Sequence, residues 1–203
     1  MQIILTALQP SLAKAWTTCC DDLDFVKIHQ GSILDVECDA VVSPANSFGF
    51  MDGGIDAIYM DYFGREIQLK VRRQIFDHHH GELLVGAATI VETSNDHIPF
   101  LIAAPTMRVP MFLSESVNPY LAARAVLLLV KHGRFQVGQY KDQLISNYVQ
   151  VVAFPGLGTG VGRVNSNTCA RQVRAAIDDI VLERYKMPKS WAEASERHQL
   201  LYA

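Results

Sequence analysis

The residues best suited to chemistry lie in Val152-Ala153-Phe154-Pro155-Gly156-Leu157-Gly158-Thr159-Gly160-Val161-Gly162, an apolar run that stops at a proline and opens into alternating glycines. A buried strand, a loop with almost no side chains and a following helix bring backbone N–H groups close to an anion, usually a phosphate. One tight turn rarely needs glycine at every second position, so the loop is expected to face a ligand. A second element lies upstream. Asp39-Ala40-Val41-Val42-Ser43-Pro44-Ala45-Asn46 reads as a buried strand ending in Pro and Asn, and Gly53-Gly54-Ile55-Asp56 follows after six residues. Two glycine-bearing loops, each after an apolar strand, describe a crevice with two walls, suited to a nucleotide-like diphosphate.

Spacing excludes the commoner nucleotide loops. A Walker A loop ends in Gly-Lys-Ser/Thr, whereas Gly162 is followed by Arg163-Val164. The G-x-G-x-x-G dinucleotide fingerprint fails from Gly156, where Val161 takes the last place, and from Gly158, where Arg163 does. The His78-His79-His80 run offers no metal site, because consecutive helical residues point about 100° apart; it reads as a solvated helix end. No metal or cofactor is implied. Lys27, Lys70, Lys131 and Lys141 read as surface charges, and no Ser, Cys or Lys suggests a catalytic triad.

The elements that must position these loops follow from hydrophobic periodicity. Apolar runs predict strands near Ile3 to Leu5, Phe25 to Ile28, Ala40 to Ser43, Ala87 to Val91, Leu101 to Ala104 and Val149 to Phe154. Ile55, Ile58, Tyr59 and Tyr62 share one helical face, with Gly64 placed to end that helix. Asn118-Pro119 reads as N-cap and first helical residue of a helix through Leu121 to Val130. The longest helix is expected from Ser166, burying Cys169, Val173, Ala176, Ile177, Ile180 and Val181. Lys186 to Trp191 reads as a break before a short helix over Ala192 to Leu201. Strands alternating with helices predict a three-layer α/β/α sandwich with a mixed, largely parallel sheet, in which ligands bind beyond the carboxyl ends of the strands.

Bulk properties agree. With 203 residues, 49% hydrophobic and 19% charged, and no linker or charge run, the chain reads as one domain spanning 1–203, with a C-terminal extension from 185. A net charge of -3 excludes a broad nucleic-acid surface, so an anion would be held by local backbone dipoles. No apolar stretch approaches the roughly 18 residues that span a bilayer. Met1 to Leu5 lacks a basic segment ahead of its apolar residues, and a cytoplasmic location is expected. Cys19, Cys20, Cys38 and Cys169 lack C-x-x-C spacing and read as buried or idle thiols.

Asn46, six residues, then Gly53-Gly54-Ile55, together with Phe154 to Gly162, resemble the macro domain, the ADP-ribose-binding fold. The first stretch is similar to that family's N-x6-G-G-[VLIM] signature and the second to its phosphate-clasping loop. The resemblance covers about 25–181. It implies that Asn46 hydrogen-bonds the distal ribose, that Gly53, Gly54 and Ile55 line that ribose and the pyrophosphate, and that Gly158, Thr159, Gly160, Val161 and Gly162 wrap the diphosphate. Ser32 and Ile33 would sit at the adenine. Asp56 falls where hydrolytic members carry an aspartate that activates water at the anomeric carbon, and Asp52 is a weaker second candidate. The competing reading of Asp56 is a first-turn aspartate that favours its helix through the macrodipole. Phe48, Phe50 and Met51 either cover the ribose or anchor the loop in the core, and Phe154 reads as a buried strand residue.

Three departures stand out. Ser32 replaces the aspartate that usually grips the adenine amino group and offers only a weaker neutral hydrogen bond. Ser43-Pro44-Ala45-Asn46 replaces Asn-Ala-Ala-Asn, so the first asparagine is missing. No closing strand follows the last long helix. The resemblance implies binding of ADP-ribose or a close derivative and hydrolysis of a mono-ADP-ribosyl bond or an ADP-ribose phosphate ester. Its partner would be free ADP-ribose or an ADP-ribosylated substrate, with no membrane involved. The alternatives are a non-catalytic ADP-ribose or nucleotide-signal reader, and a structural component that binds no nucleotide.

Overall fold

A computed structural model of the chain describes residues 1–202. Six strands, β1 (Gln2–Ala7), β2 (Val26–Gln30), β3 (Ala40–Ser43), β4 (Thr89–Glu92), β5 (Phe100–Ala103) and β6 (Val151–Phe154), form one sheet in the order β2-β1-β6-β3-β5-β4. All neighbouring pairs are parallel except β4 with β5. The expected mixed, largely parallel sheet is therefore observed, and its edge is completed by β1 and β2 from the N-terminal part of the chain rather than by a strand after the last long helix.

Both faces of the sheet are covered, so its central strands are continuous apolar runs. The two-residue period divides each run between two cores. Ile3, Leu5, Val42, Ile102, Val152 and Phe154 face one layer, whereas Ile4, Val41, Leu101, Ala103 and Ala153 face the other. The first layer contains helices α1 (Pro10–Cys20), α4 (Asn118–His132) and α5 (Ser166–Ile180), and the second contains α2 (Gly54–Phe63) and α3 (Glu66–His79). Trp16 of α1 is fully buried on the first side and Tyr59 of α2 on the second.

Helix boundaries follow local chemistry. Gly64 ends α2 with φ 85°, in the region that favours glycine. Asn165 caps α5 by accepting from the Asn167 N–H at 2.9 Å. Asn118 is not the N-cap expected of it. It is the first residue of α4, its own N–H is capped by Ser116 Oγ at 3.0 Å, and its side-chain Nδ2 donates to Thr106 O at 2.7 Å. The chain three residues beyond the end of β5 is thereby tied to the start of α4. α5 and α4 have equal length, 15 residues each, so α5 is not uniquely the longest helix.

Two expected surface lysines serve as ties instead. Lys70 Nζ donates to Glu92 O (2.9 Å) and Ser94 Oγ (2.8 Å), and Lys131 Nζ to Ile180 O (2.9 Å), because each stem reaches carbonyls at the end of a neighbouring element. His79 ends α3 and His80 takes a left-handed cap, as a helix-end reading requires. After the break, α6 (Trp191–Leu200) buries none of its residues. The chain beyond it is fastened to α5: Gln172 Nε2 donates to Leu201 O and Arg171 to Tyr202 O, both at 3.2 Å. No described helix is long and apolar enough to cross a membrane.

Candidate functional site

The carboxyl ends of β1, β2, β3, β5 and β6 all lie at one edge of the sheet, and a cleft of about 350 Å³ opens there. Every residue expected at the ligand lines it: Ser32 and Ile33 after β2, Asn46 and Gly53 to Asp56 after β3, and Gly158 to Gly162 after β6. The two glycine loops are thus brought together as opposite walls of one crevice.

The loop after β6 is held in shape by what its glycines lack. A Cβ on Gly162 would sit 2.5 Å from Gly158 O, and one on Gly156 would sit 2.4 Å from Thr159 Oγ1 and 2.7 Å from Leu12 Cδ2. Gly158 has φ +69° and packs its open side against Val164 and Leu113. Its carbonyl accepts from Val164 N at 3.0 Å, while Gly162 O accepts from Leu113 N at 2.7 Å. The N–H groups of Gly158, Thr159, Gly160, Val161 and Gly162, by contrast, donate to no acceptor among the described residues. Five consecutive amides without an acceptor among the described residues therefore lie along the cleft wall.

The facing wall contributes a second donor. α2 begins at Gly54 with φ +58°, and its N-cap, Gly53, supplies no side-chain acceptor. Its first amides and the positive end of its dipole are left for whatever occupies the cleft. Among the described residues no Lys or Arg lines the cleft, and its ionisable residues are Asp52 and Asp56.

Asn46 works mainly on its own loop. Its Oδ1 accepts from Phe48 N (3.1 Å) and Phe50 N (3.3 Å), and its Nδ2 donates to Phe50 O (2.8 Å), which leaves one amide hydrogen for a ligand. Asparagine here closes the turn that carries the chain from β3 to the glycines. Sequence reading missed the braces from α3: Gln68 Oε1 accepts Met51 N at 2.8 Å, and Arg72 donates to Phe48 O at 3.0 Å while stacking 4.2 Å over Phe50. Gln68 and Arg72 are one turn apart on one helical face, the only signal in the sequence that they act together. Met51 is fully buried and anchors the loop, Phe50 is half exposed at the cleft, and Phe154 lies in the core.

Asp56 is the third residue of α2 and only 6% exposed. Ser43, the last residue of β3, donates its hydroxyl to Asp56 Oδ1 at 2.5 Å. Burial pushes the Asp56 carboxyl up to about 7, and the Ser43 hydrogen bond pulls in the opposite direction without winning. Tyr59, one turn on, is held well above the usual tyrosine value by burial and then by the Asp56 charge, and its hydroxyl donates to Val42 O at 3.0 Å.

Ser32 accepts from Leu34 N at 3.2 Å and so caps the short 3-10 turn Ile33–Asp35. Ile33 is buried beneath it. The remaining wall, which the sequence did not reveal, comes from Leu8 and Gln9 after β1 and from Thr106, Met107 and Pro110 after β5. Pro10 at the start of α1 marks the first of these turns.

Comparison with known proteins gives the same architecture. A sequence model of the Macro domain matches residues 42–173. An uncharacterised protein of Aquifex aeolicus (strain VF5) is 32% identical over 146 residues, covering 72% of this chain and 76% of that protein. One from Aeropyrum pernix is 30% identical over 151 residues, covering 73% and 68%. Among solved structures, a mutant of the Oceanobacillus iheyensis macrodomain with ADPR aligns with TM-score 0.60 at 17% identity, over 85% of this chain and 86% of that one. The macrodomain of Mycobacterium tuberculosis DarG aligns with TM-score 0.58 at 19% identity, over 73% and 87%. The structural likenesses show a shared fold, and the sequence match extends from within β3, through both glycine loops, into α5: this chain belongs to the macro domain family.

Proposed function

We propose that the chain, read as one macro domain, binds ADP-ribose or a close derivative in this cleft and hydrolyses an adduct at the distal ribose. The observation that carries the binding half is the row of unengaged amides from Gly158 to Gly162 opposite the uncapped start of α2, in a cleft without cations. Backbone donors suit a diphosphate, and they leave the two carboxylates free of competing ion pairs. Solved members of the fold support the ligand class, since the Oceanobacillus iheyensis macrodomain is seen with ADPR and with ADP.

Catalysis in this reading is positional. The glycine loop holds the pyrophosphate, the Asn46 loop and Gly53 to Ile55 confine the distal ribose, and Asp56 faces a water at its anomeric carbon. As the water oxygen bonds to C1, its proton passes to Asp56, and the C1 bond to the adduct breaks with its electron pair leaving on the adduct oxygen. Asp56 then returns the proton to that oxygen. A carboxyl raised to about 7 suits both halves of this transfer at neutral pH.

Calorimetry with ADP-ribose against AMP and NAD tests binding, and Asp56→Ala tests turnover. Retained ADP-ribose affinity with lost hydrolysis of ADP-ribosylated substrates supports the enzyme. Binding by the wild type without turnover would make it a reader instead, and absence of binding would refute both.

A further inference from the structure

Asp56 has two oxygens in different surroundings. Oδ1 is taken by the Ser43 hydroxyl at 2.5 Å, behind the cleft wall, and Ser43 is 1% exposed. Oδ2 accepts no hydrogen bond from the described residues, yet it is not sealed from solvent, and Asp56 borders the cleft whereas Ser43 does not. No cation pairs with the carboxylate among the described residues. Of the titratable groups around it, Tyr59 lies on the same helix, Cys38 lies ahead of β3, and Asp52 is the second carboxylate lining the cleft. Burial holds Tyr59 well above its usual value and Cys38 at about 12, so both are neutral near pH 7.

We infer that Ser43 is the positioning residue of the site: its hydroxyl, by donating to Oδ1, fixes the Asp56 carboxyl plane and dedicates Oδ2, on the cleft side, to proton transfer. With Oδ1 engaged from behind, a proton arriving from the cleft is directed to Oδ2, whose lone pairs are free of protein donors, and the ionised form turns those lone pairs to the ligand. The same hydroxyl keeps a deeply buried carboxyl ionisable at all, since a hydrogen bond to the charged form offsets part of the desolvation. Ser43 occupies the place where the family pattern has its first asparagine, so this chain has exchanged an amide for a hydroxyl directly behind its carboxylate.

The proton-transfer role rests on the hydrolase reading above; the control of Asp56 ionisation does not, and the two are separable by experiment. In protein labelled with carbon-13 at aspartate carboxyls, the Asp56 resonance is assigned by its loss in Asp56→Asn and titrated in wild type, Ser43→Ala and Ser43→Thr. The expected midpoint rises by about one to two units in Ser43→Ala and returns in Ser43→Thr. Ser43→Cys, whose thiol is a weaker donor of similar size, gives an intermediate midpoint and the same ordering should the alanine variant fail to fold. On an ADP-ribosylated substrate, the acid limb of kcat moves with that midpoint while KM stays constant. An unmoved midpoint in Ser43→Ala, or in Ser43→Cys if alanine does not fold, overturns the proposal whatever the turnover. A moved midpoint in a protein that turns over no adduct refutes the hydrolase reading and leaves Ser43 as the group that sets Asp56.

Discussion

Gly162→Ala puts the clasping loop under a defined load. The new Cβ would lie 2.5 Å from Gly158 O and 3.0 Å from Leu113 Cδ1. Carbon and carbonyl oxygen do not normally approach closer than about 3.3 Å, so the strand of loop must open by roughly 0.8 Å. A shift of that size takes an amide from about 2.9 Å to beyond hydrogen-bonding distance of a fixed phosphate oxygen. Loss of one hydrogen bond to a charged group costs about 1.5–3 kcal/mol, which is about a 10- to 150-fold rise in Kd for ADP-ribose. Gly158 O also accepts Val164 N, so folding stability falls as well. Gly133→Ala supplies the control. Its Cβ would lie 2.4 Å from Leu129 O at the end of α4, outside the cleft lining, so it destabilises the fold without touching the cleft. Calorimetry and thermal melts on both variants decide the matter. The reasoning is refuted if Gly162→Ala binds ADP-ribose as tightly as wild type, or if Gly133→Ala weakens binding to the same degree.

Asn46→Ala removes three hydrogen bonds that close the loop before Gly53, and a loss of about 1–3 kcal/mol in denaturant melts is expected, with weaker ADP-ribose binding in parallel. Asp56 yields a pH signature. Its carboxyl is raised from 3.8 to about 7 on folding, so the native state holds a proton that the unfolded chain has already released between those values. Stability from this group is therefore fully present below pH 3.8 and declines as pH rises to 7, by at most about 4 kcal/mol. Asp56→Asn flattens that decline, so its Tm relative to wild type is higher at pH 8 than at pH 5; parallel Tm curves would contradict the assignment. If Ser32 meets adenine as proposed, Ser32→Asp supplies a charged acceptor there, and calorimetry is expected to show about tenfold tighter ADP-ribose binding, with no comparable gain for an inosine analogue lacking the amino group.

The sequence displays this site unusually well because its walls are consecutive segments. A strand buried on both faces is mostly apolar, so Ala40 to Val42 and Val151 to Phe154 stand out, and loops that expose amides need glycine where a Cβ would collide with the chain. What remained hidden depends on distant partners. Gln68 and Arg72 brace a loop some twenty residues away through a helix packed beside it, and nothing in their types separates them from other surface residues of α3. Ser43 and Asp56 were each visible, but their hydrogen bond arises from the packing of α2 on the end of β3. The first helix, Pro10–Cys20, has a proline start and a buried face, yet it fell outside the expected elements because its apolar positions include small and weakly apolar residues such as Ala13, Ala15 and Cys20. β6 was expected from Val149 and begins at Val151, since Ile145–Asn147 forms a 3-10 turn whose carbonyl at Ile145 still accepts Tyr148 N and Val149 N.

The central claim, that main-chain donors across one cleft hold a nucleoside diphosphate ribose, is tested most directly by titrating nitrogen-15-labelled protein with ADP-ribose and following each amide. The account predicts saturable downfield proton shifts at Gly158, Thr159, Gly160, Val161 and Gly162, with smaller shifts at Gly54 to Asp56. Saturable shifts confined to other surfaces, or none at millimolar ligand, would contradict it.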